Sequence, residues 1–113
     1  MTIKKFHVYT ADLNPRFGTE PGKQRPVVVI QTDMLNQIHA STIVCLISTK
    51  IHPESDLLRV HLRKGEAGLE KPSDILVDQV RAIDNKRFVK HLGIITDRSK
   101  LKLLDNLKIL VLE

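Results

Sequence analysis

Apolar residues fall into short runs separated, every ten or so positions, by glycine, proline or clustered charge, a rhythm that predicts strands and tight connections. Residues 6–13 alternate loosely and read as a first strand. Residues 14–24 read as a loop, because Asn14-Pro15, Gly18 and Pro21-Gly22 are successive turn signals. A connection this long in a small domain is characteristic of functional or mobile segments. Residues 26–30 form a second strand that Pro26 opens, and Arg25 before it is biased toward extended geometry. Val27, Val28, Val29 and Ile30 are all β-branched, which predicts a central strand buried on both faces.

Residues 33–39 suggest a short helical turn. Residues 42–49 read as a third strand, and 57–62 as a fourth with Arg59 and His61 directed away from the core. A second basic, Gly-containing loop covers 63–73. Strands at 75–83 and 92–95 follow. The period then lengthens: Thr96 or Asp97 can cap a helix on which Leu101, Leu104, Leu107 and Val111 share a face. Its last turns are apolar nearly all round, more than one core face requires, which suggests a second copy of the chain as partner. Six strands and a terminal helix in one domain spanning 1–113 predict a mainly β, small closed or half-closed barrel.

Composition narrows the function classes. A net charge of +5 favours a polyanionic or acidic partner, while three Phe, one Tyr and no Trp offer no cluster for base stacking. The first residues, MTIKKFHVY, lack the apolar stretch of a secretory signal, and no run approaches the ~18 apolar residues of a membrane span. The lone Cys45, between Val44 and Leu46, reads as a small buried hydrophobe and fits a reducing cytosol. The five histidines are scattered and no metal-binding, Walker, dinucleotide or serine-hydrolase motif occurs, so no metal or cofactor is expected.

What remains for chemistry is Arg25, Thr49 and the run Asp78-Gln79-Val80-Arg81, all placed at or near strand ends that a small barrel can bring to one rim. Metal-free RNA cleavage needs activation of the 2′-OH, stabilisation of charge on the phosphorane and a proton for the leaving 5′-oxygen. A guanidinium meets the second need through paired hydrogen bonds to phosphate oxygens. Neither an arginine nor a threonine hydroxyl is a comfortable base near pH 7, which leaves Asp78 as the acid–base candidate. The same residues also admit a structural reading, in which Arg25 and Arg81 pair with Asp12 or Asp84 and Thr49 fills a β position.

These blocks resemble the MazF/PemK family of toxin endoribonucleases, along nearly the whole chain. VYTADLNPRFGTEPGKQRPVVVIQ resembles the family's opening strand, mobile loop and Arg-Pro strand. VCLISTK resembles its third-strand segment ending in a catalytic Thr, and ILVDQVRAIDNKRF its later block of an acidic residue followed by Gln-x-Arg-x-Ile-Asp. The resemblance implies an SH3-like barrel of the CcdB/PemK type, a homodimer, and cytoplasmic, sequence-selective cleavage of single-stranded mRNA to 2′,3′-cyclic phosphate and 5′-OH ends. It implies Arg25 and Thr49 as the catalytic pair, with Arg16, Phe17, Lys23, Pro26, Lys50, Asp78, Gln79 and Arg81 binding RNA or supporting the site. It also implies a cognate antitoxin whose acidic, disordered C-terminal segment folds onto the same groove.

The chain departs from the branch typified by Kid. The Arg two residues before the acidic position is Leu76 here, and the loop offers Arg16 and Phe17 where that branch has a His, so that branch's acid–base arrangement is not carried over. Two other readings compete. One is a non-enzymatic poison like the CcdB gyrase inhibitors, which act through their C-terminal helix and carry no Arg-Pro/Thr pair. The other is a catalytically dead relative, which replacement of Arg25 or Thr49 would have signalled; both are present.

Overall fold

A computed structural model describes residues 1–13 and 23–113. Among them six strands form one antiparallel sheet: β1 (His7–Asp12), β2 (Gln24–Val29), β3 (Ser41–Ser48), β4 (Arg59–Leu62), β5 (Ser73–Asp84) and β6 (Phe88–Ile94), in the order β4-β5-β3-β2-β1-β6. The sheet is barrel-like but not closed, since β4 and β6 are both edges. Helix α1 (Asp97–Leu107) follows, capped by Thr96, whose side chain accepts from Ser99 N at 3.2 Å. It continues into a looser apolar turn, Lys108–Leu112.

The central strands are buried on both faces, as their β-branched run predicts. Val27, Val28 and Val29 are fully buried. Val8, Val28, Cys45, Ile47, Ile75 and Val77 pack on one face with Leu103 of α1. Tyr9, Ala11, Val27, Val29, Val44 and Ile83 pack on the other. Pro26 pairs with Thr10 on β1 but lies one residue beyond the last rung to β3, a place where a missing N–H is tolerated. The loop between β4 and β5 is held against β6 by close backbone packing. Gly68 has φ +74° and turns the side that would carry a Cβ onto the Leu92 carbonyl, while a Cβ on Gly93 would meet Ala67 at 2.7 Å.

Three expectations are corrected. Residues 33–39 are not a helix but successive turns, with Leu35 and Asn36 amides both bonded to Thr32 O, and Gln37 at φ 73° interrupting any helical run. The last strand begins at Phe88, four residues earlier than its apolar pattern suggests. The helix presents a different face to the core. Ser99, Leu103 and Asn106 are buried, with Leu107 and Leu110 packed beside them, whereas Leu101, Leu104 and Val111 are exposed by 67%, 41% and 66%. The polar residues turn inward because they have partners there. Ser99 Oγ donates to Glu66 at 2.7 Å, and Asn106 Nδ2 donates to Asp56 O at 3.0 Å.

Candidate functional site

Period-two alternation places Arg25 on the sheet face that carries Val27 and Val29, and it pairs with Ala11 of β1. Ser48 shares that face with Val44 and Leu46, and is paired with Asp74 of β5, which is paired in turn with His61 of β4. The β2–β3 register matches Val27 with Leu46. Arg25 and Ser48 each lie two residues past that rung. Two paired sets therefore stand at this end of the sheet: Ala11 with Arg25, and Ser48 with Asp74 and His61. Thr49 and Lys50 follow Ser48 where the chain leaves β3, and both are exposed. The turn there is closed by Lys50 N donating to Ser48 Oγ at 3.1 Å.

Asp74 is the fixed point of this end. Its side chain is fully buried. It accepts from His52 N at 2.8 Å, from His61 Nδ1 at 2.7 Å and from Arg59 Nη1 at 3.3 Å. Arg59 Nη1 also donates to Lys50 O at 2.9 Å. Two hydrogen-bond routes thus tie the segment after Thr49 to one carboxylate, which sets where that segment can lie. Arg59 and His61 do face away from the core, as their alternation predicts. Their partner Asp74 was not picked out from sequence, because only the cross-strand register reveals it.

The expected site residues of β5 lie further along the sheet and not at one rim with Arg25: Arg81 is level with Val44 and Val29, four positions from Ser48 and Arg25. On β5, Val80 pairs with Cys45 but Leu76 pairs with Leu46, so residues 77–79 stand outside the β3 ladder. Such an irregularity re-aims side chains at a sheet's rim. Asp78 and Gln79 occupy it and are exposed. Arg81 beyond it is exposed and pairs with Val44 on the Arg25 face. Lys23 is exposed and Pro26 half-buried. Arg16 and Phe17 lie outside the described residues.

Among the described residues, neither Arg25 nor Arg81 forms an ion pair with a carboxylate. Asp84 instead accepts from Lys86 N at 2.8 Å. Thr49 stands just past the end of its strand rather than within it.

Cys45 is buried, and that burial, with a smaller contribution from Asp78, pushes its thiol up to about 12. It is a core residue without nucleophilic character at neutral pH. Elsewhere, His7 Nδ1 and His91 Nε2 lie 2.9 Å apart across β1 and β6, and burial followed by the His91 charge lowers the His7 pKa. Among the described residues no group of three or more metal-ligating side chains converges, and no helix is long and apolar enough to cross a membrane.

A family model described as PemK-like, MazF-like toxin of type II toxin–antitoxin system matches residues 4–111. The fold is also similar to MazF from Deinococcus radiodurans, with a TM-score of 0.78 and 19% identity over 100% of this chain and 99% of that one. Toxin MazF-mt6 of Mycobacterium tuberculosis has a TM-score of 0.76 and 17% identity, covering 91% of this chain and 93% of its own. An endoribonuclease in complex with its cognate antitoxin, from a mycobacterial species, has a TM-score of 0.77 and 16% identity, covering 95% and 92%.

Proposed function

Since the chain belongs to the PemK-like, MazF-like toxins of type II toxin–antitoxin systems, we propose that it is a cytoplasmic endoribonuclease that cuts single-stranded mRNA without a metal ion. Arg25 and Thr49 form its catalytic pair. The supporting observation is their placement: Arg25 and Ser48 lie on one sheet face, each two residues past the Val27–Leu46 rung that joins β2 to β3, and Thr49 is the next residue. A phosphodiester laid across this strand end meets a guanidinium free of carboxylate partners among the described residues.

As the 2′-oxygen attacks phosphorus, charge grows on the non-bridging oxygens, and a guanidinium stabilises it by charge-assisted hydrogen bonds. The 2′-oxygen closes the ring as the 5′-oxygen leaves, giving a 2′,3′-cyclic phosphate and a 5′-OH. Thr49 orients the phosphate through its hydroxyl, and Asp78, Gln79, Arg81, Lys23, Lys50 and Pro26 line or support the path of the strand.

The same positive rim suits an acidic antitoxin segment that competes with RNA. The similar mycobacterial endoribonuclease is in complex with its cognate antitoxin. The exposed apolar helix face at Leu101, Leu104 and Val111 suits a homodimer, which would remove it from water. No observation favours the gyrase-poison reading.

The test is incubation of the protein with end-labelled single-stranded RNA in excess EDTA, followed by mapping of the ends. A single deoxynucleotide 5′ to the cut should abolish cleavage, because it removes the nucleophile. Continued cutting of that strand would overturn the mechanism.

A further inference from the structure

The segment that leaves Thr49 forms one wall of a cavity of about 170 Å³. Ile51, Pro53, Leu62 and Pro72 give it apolar sides, and His61 and Asp74 supply its polar part. Ile51 is two residues from Thr49, at most ~7 Å of extended chain, so the cavity opens within one nucleotide's reach of Thr49. Lys50, Arg63 and Lys64, all exposed, flank this region in sequence and favour an anionic strand.

The hydrogen-bonding capacity of the cavity is almost fully spent. Asp74 already accepts from His52 N, Arg59 and His61. Ser73 Oγ, also on the lining, donates to Lys71 O at 3.0 Å. His61 gives its Nδ1 proton to Asp74, which fixes the ring's orientation and leaves Nε2 as its other polar atom. The nearest carboxylate to Nε2 is Asp56 Oδ1 at 3.7 Å, beyond hydrogen-bond length. A largely apolar pocket bordered by one oriented imidazole suits a flat heteroaromatic ring, and single-stranded RNA presents such rings splayed from the backbone.

We propose that this cavity is the subsite for a nucleobase flanking the cleaved phosphodiester, and that His61 contacts the polar edge of that base through Nε2. The inference rests on the RNA-cleaving reading and adds to it a specificity residue, His61, and a positioning residue, Asp74.

The experiment has two arms. In the first, a random-sequence single-stranded RNA pool is cut by the wild-type protein, His61→Gln and His61→Ala, and the ends are sequenced. One lost hydrogen bond predicts that discrimination at a single flanking position falls roughly 3- to 10-fold in the variants. An unchanged preference profile overturns the subsite. In the second, ¹⁵N-histidine wild-type protein is titrated with an all-deoxy strand of the preferred sequence, His61 being assigned from the His61→Gln spectrum. The His61 ring signals should shift saturably. Binding that moves other signals and leaves His61 still overturns the subsite, as does absence of binding at millimolar strand. A protein that cuts no RNA in the first arm, yet shows the His61 shift with a random all-deoxy strand, would overturn the nuclease reading while the base site stands.

Discussion

Asp74→Ala separates two kinds of interaction that meet on one histidine. The wild-type carboxylate is fully buried and accepts bonds of 2.8, 2.7 and 3.3 Å from His52 N, His61 Nδ1 and Arg59 Nη1. Removing it leaves a half-buried backbone N–H with no partner, which costs about 1–2 kcal/mol. It also strips Arg59, whose side chain is 20% exposed, of its counter-charge, although Lys50 O still receives one N–H. Loss of one partner of a wholly buried pair costs about 3–5 kcal/mol, and partial exposure of Arg59 places the total near the lower end, about 3 kcal/mol. An unfolding entropy of about 2.1 cal/mol/K per residue gives this chain of 113 residues roughly 240 cal/mol/K, so Tm should fall by about 13 °C. Asp56 touches the same imidazole from the other side, at 3.7 Å, but its side chain is 84% exposed. Asp56→Ala should therefore shift Tm by no more than about 2 °C. Thermal unfolding by circular dichroism at one fixed protein concentration reads both, since dimerisation would make Tm concentration-dependent. If Asp74→Ala melts within about 3 °C of wild type, the carboxylate does not hold the segment after Thr49.

Arg25→Ala should lower the rate of cutting a fluorogenic single-stranded RNA by roughly 100- to 1,000-fold, as loss of one transition-state donor does. Because Arg25 is exposed and unpaired among the described residues, Tm should stay within about 2 °C. A normal rate would return it to a structural role. The Asp33 carboxyl lies below its usual range because Lys5 N and then Asn36 Nδ2 donate to it, at 2.8 and 2.9 Å. A lowered folded pKa means stability that is present above the unfolded value and lost as pH falls through the folded one. Asp33→Asn should thus melt below wild type at pH 7, with the gap closing below about pH 3; a gap independent of pH would refute the assignment. Cys45, with its thiol near 12, should resist iodoacetamide at pH 8 in native protein and react once urea unfolds it, read by mass spectrometry. Leu101→Glu should halve the sedimentation mass while leaving the fold intact, because Leu101 is 67% exposed. An unchanged mass would move the dimer contact elsewhere.

Much of this architecture was legible because local pattern and burial agree. The β-branched run at Val27–Val29 announces a central strand, Thr96 announces the helix start, and the Arg25-Pro26 step marks where the long loop meets the sheet. The helix face was not legible. Ser99 and Asn106 look solvent-facing by type, but each spends its polar group on a loop that lies over 30 residues away in sequence. The start of β6 was hidden for a related reason: Val89, Lys90 and His91 are exposed on an edge strand, so no apolar alternation marks it. Asp74 was invisible as a site residue because its meaning lies in its partners, 13 to 22 positions distant. The irregularity at 77–79 also breaks any register counted along β5.

The proposed site thus divides into groups that would act and groups that hold. Arg25 and Thr49 are exposed at strand ends, and Asp78 and Gln79 are exposed at the irregularity within β5, so their identity is nearly free with respect to folding. Asp74 is the opposite case. A buried carboxylate among cations is seldom the most stable filling for its volume, since desolvation offsets most of the Coulombic attraction, and a well-packed apolar trio can match it. Stability alone therefore does not explain why Asp74, Arg59 and His61 occur together at this end of the sheet. Position does: the three side chains fix the backbone at Lys50 and His52, on either side of Ile51, and orient the one imidazole that borders the cavity. Loss of Asp74 should then weaken the fold and blur base preference together, whereas loss of Arg25 should remove chemistry from an intact scaffold.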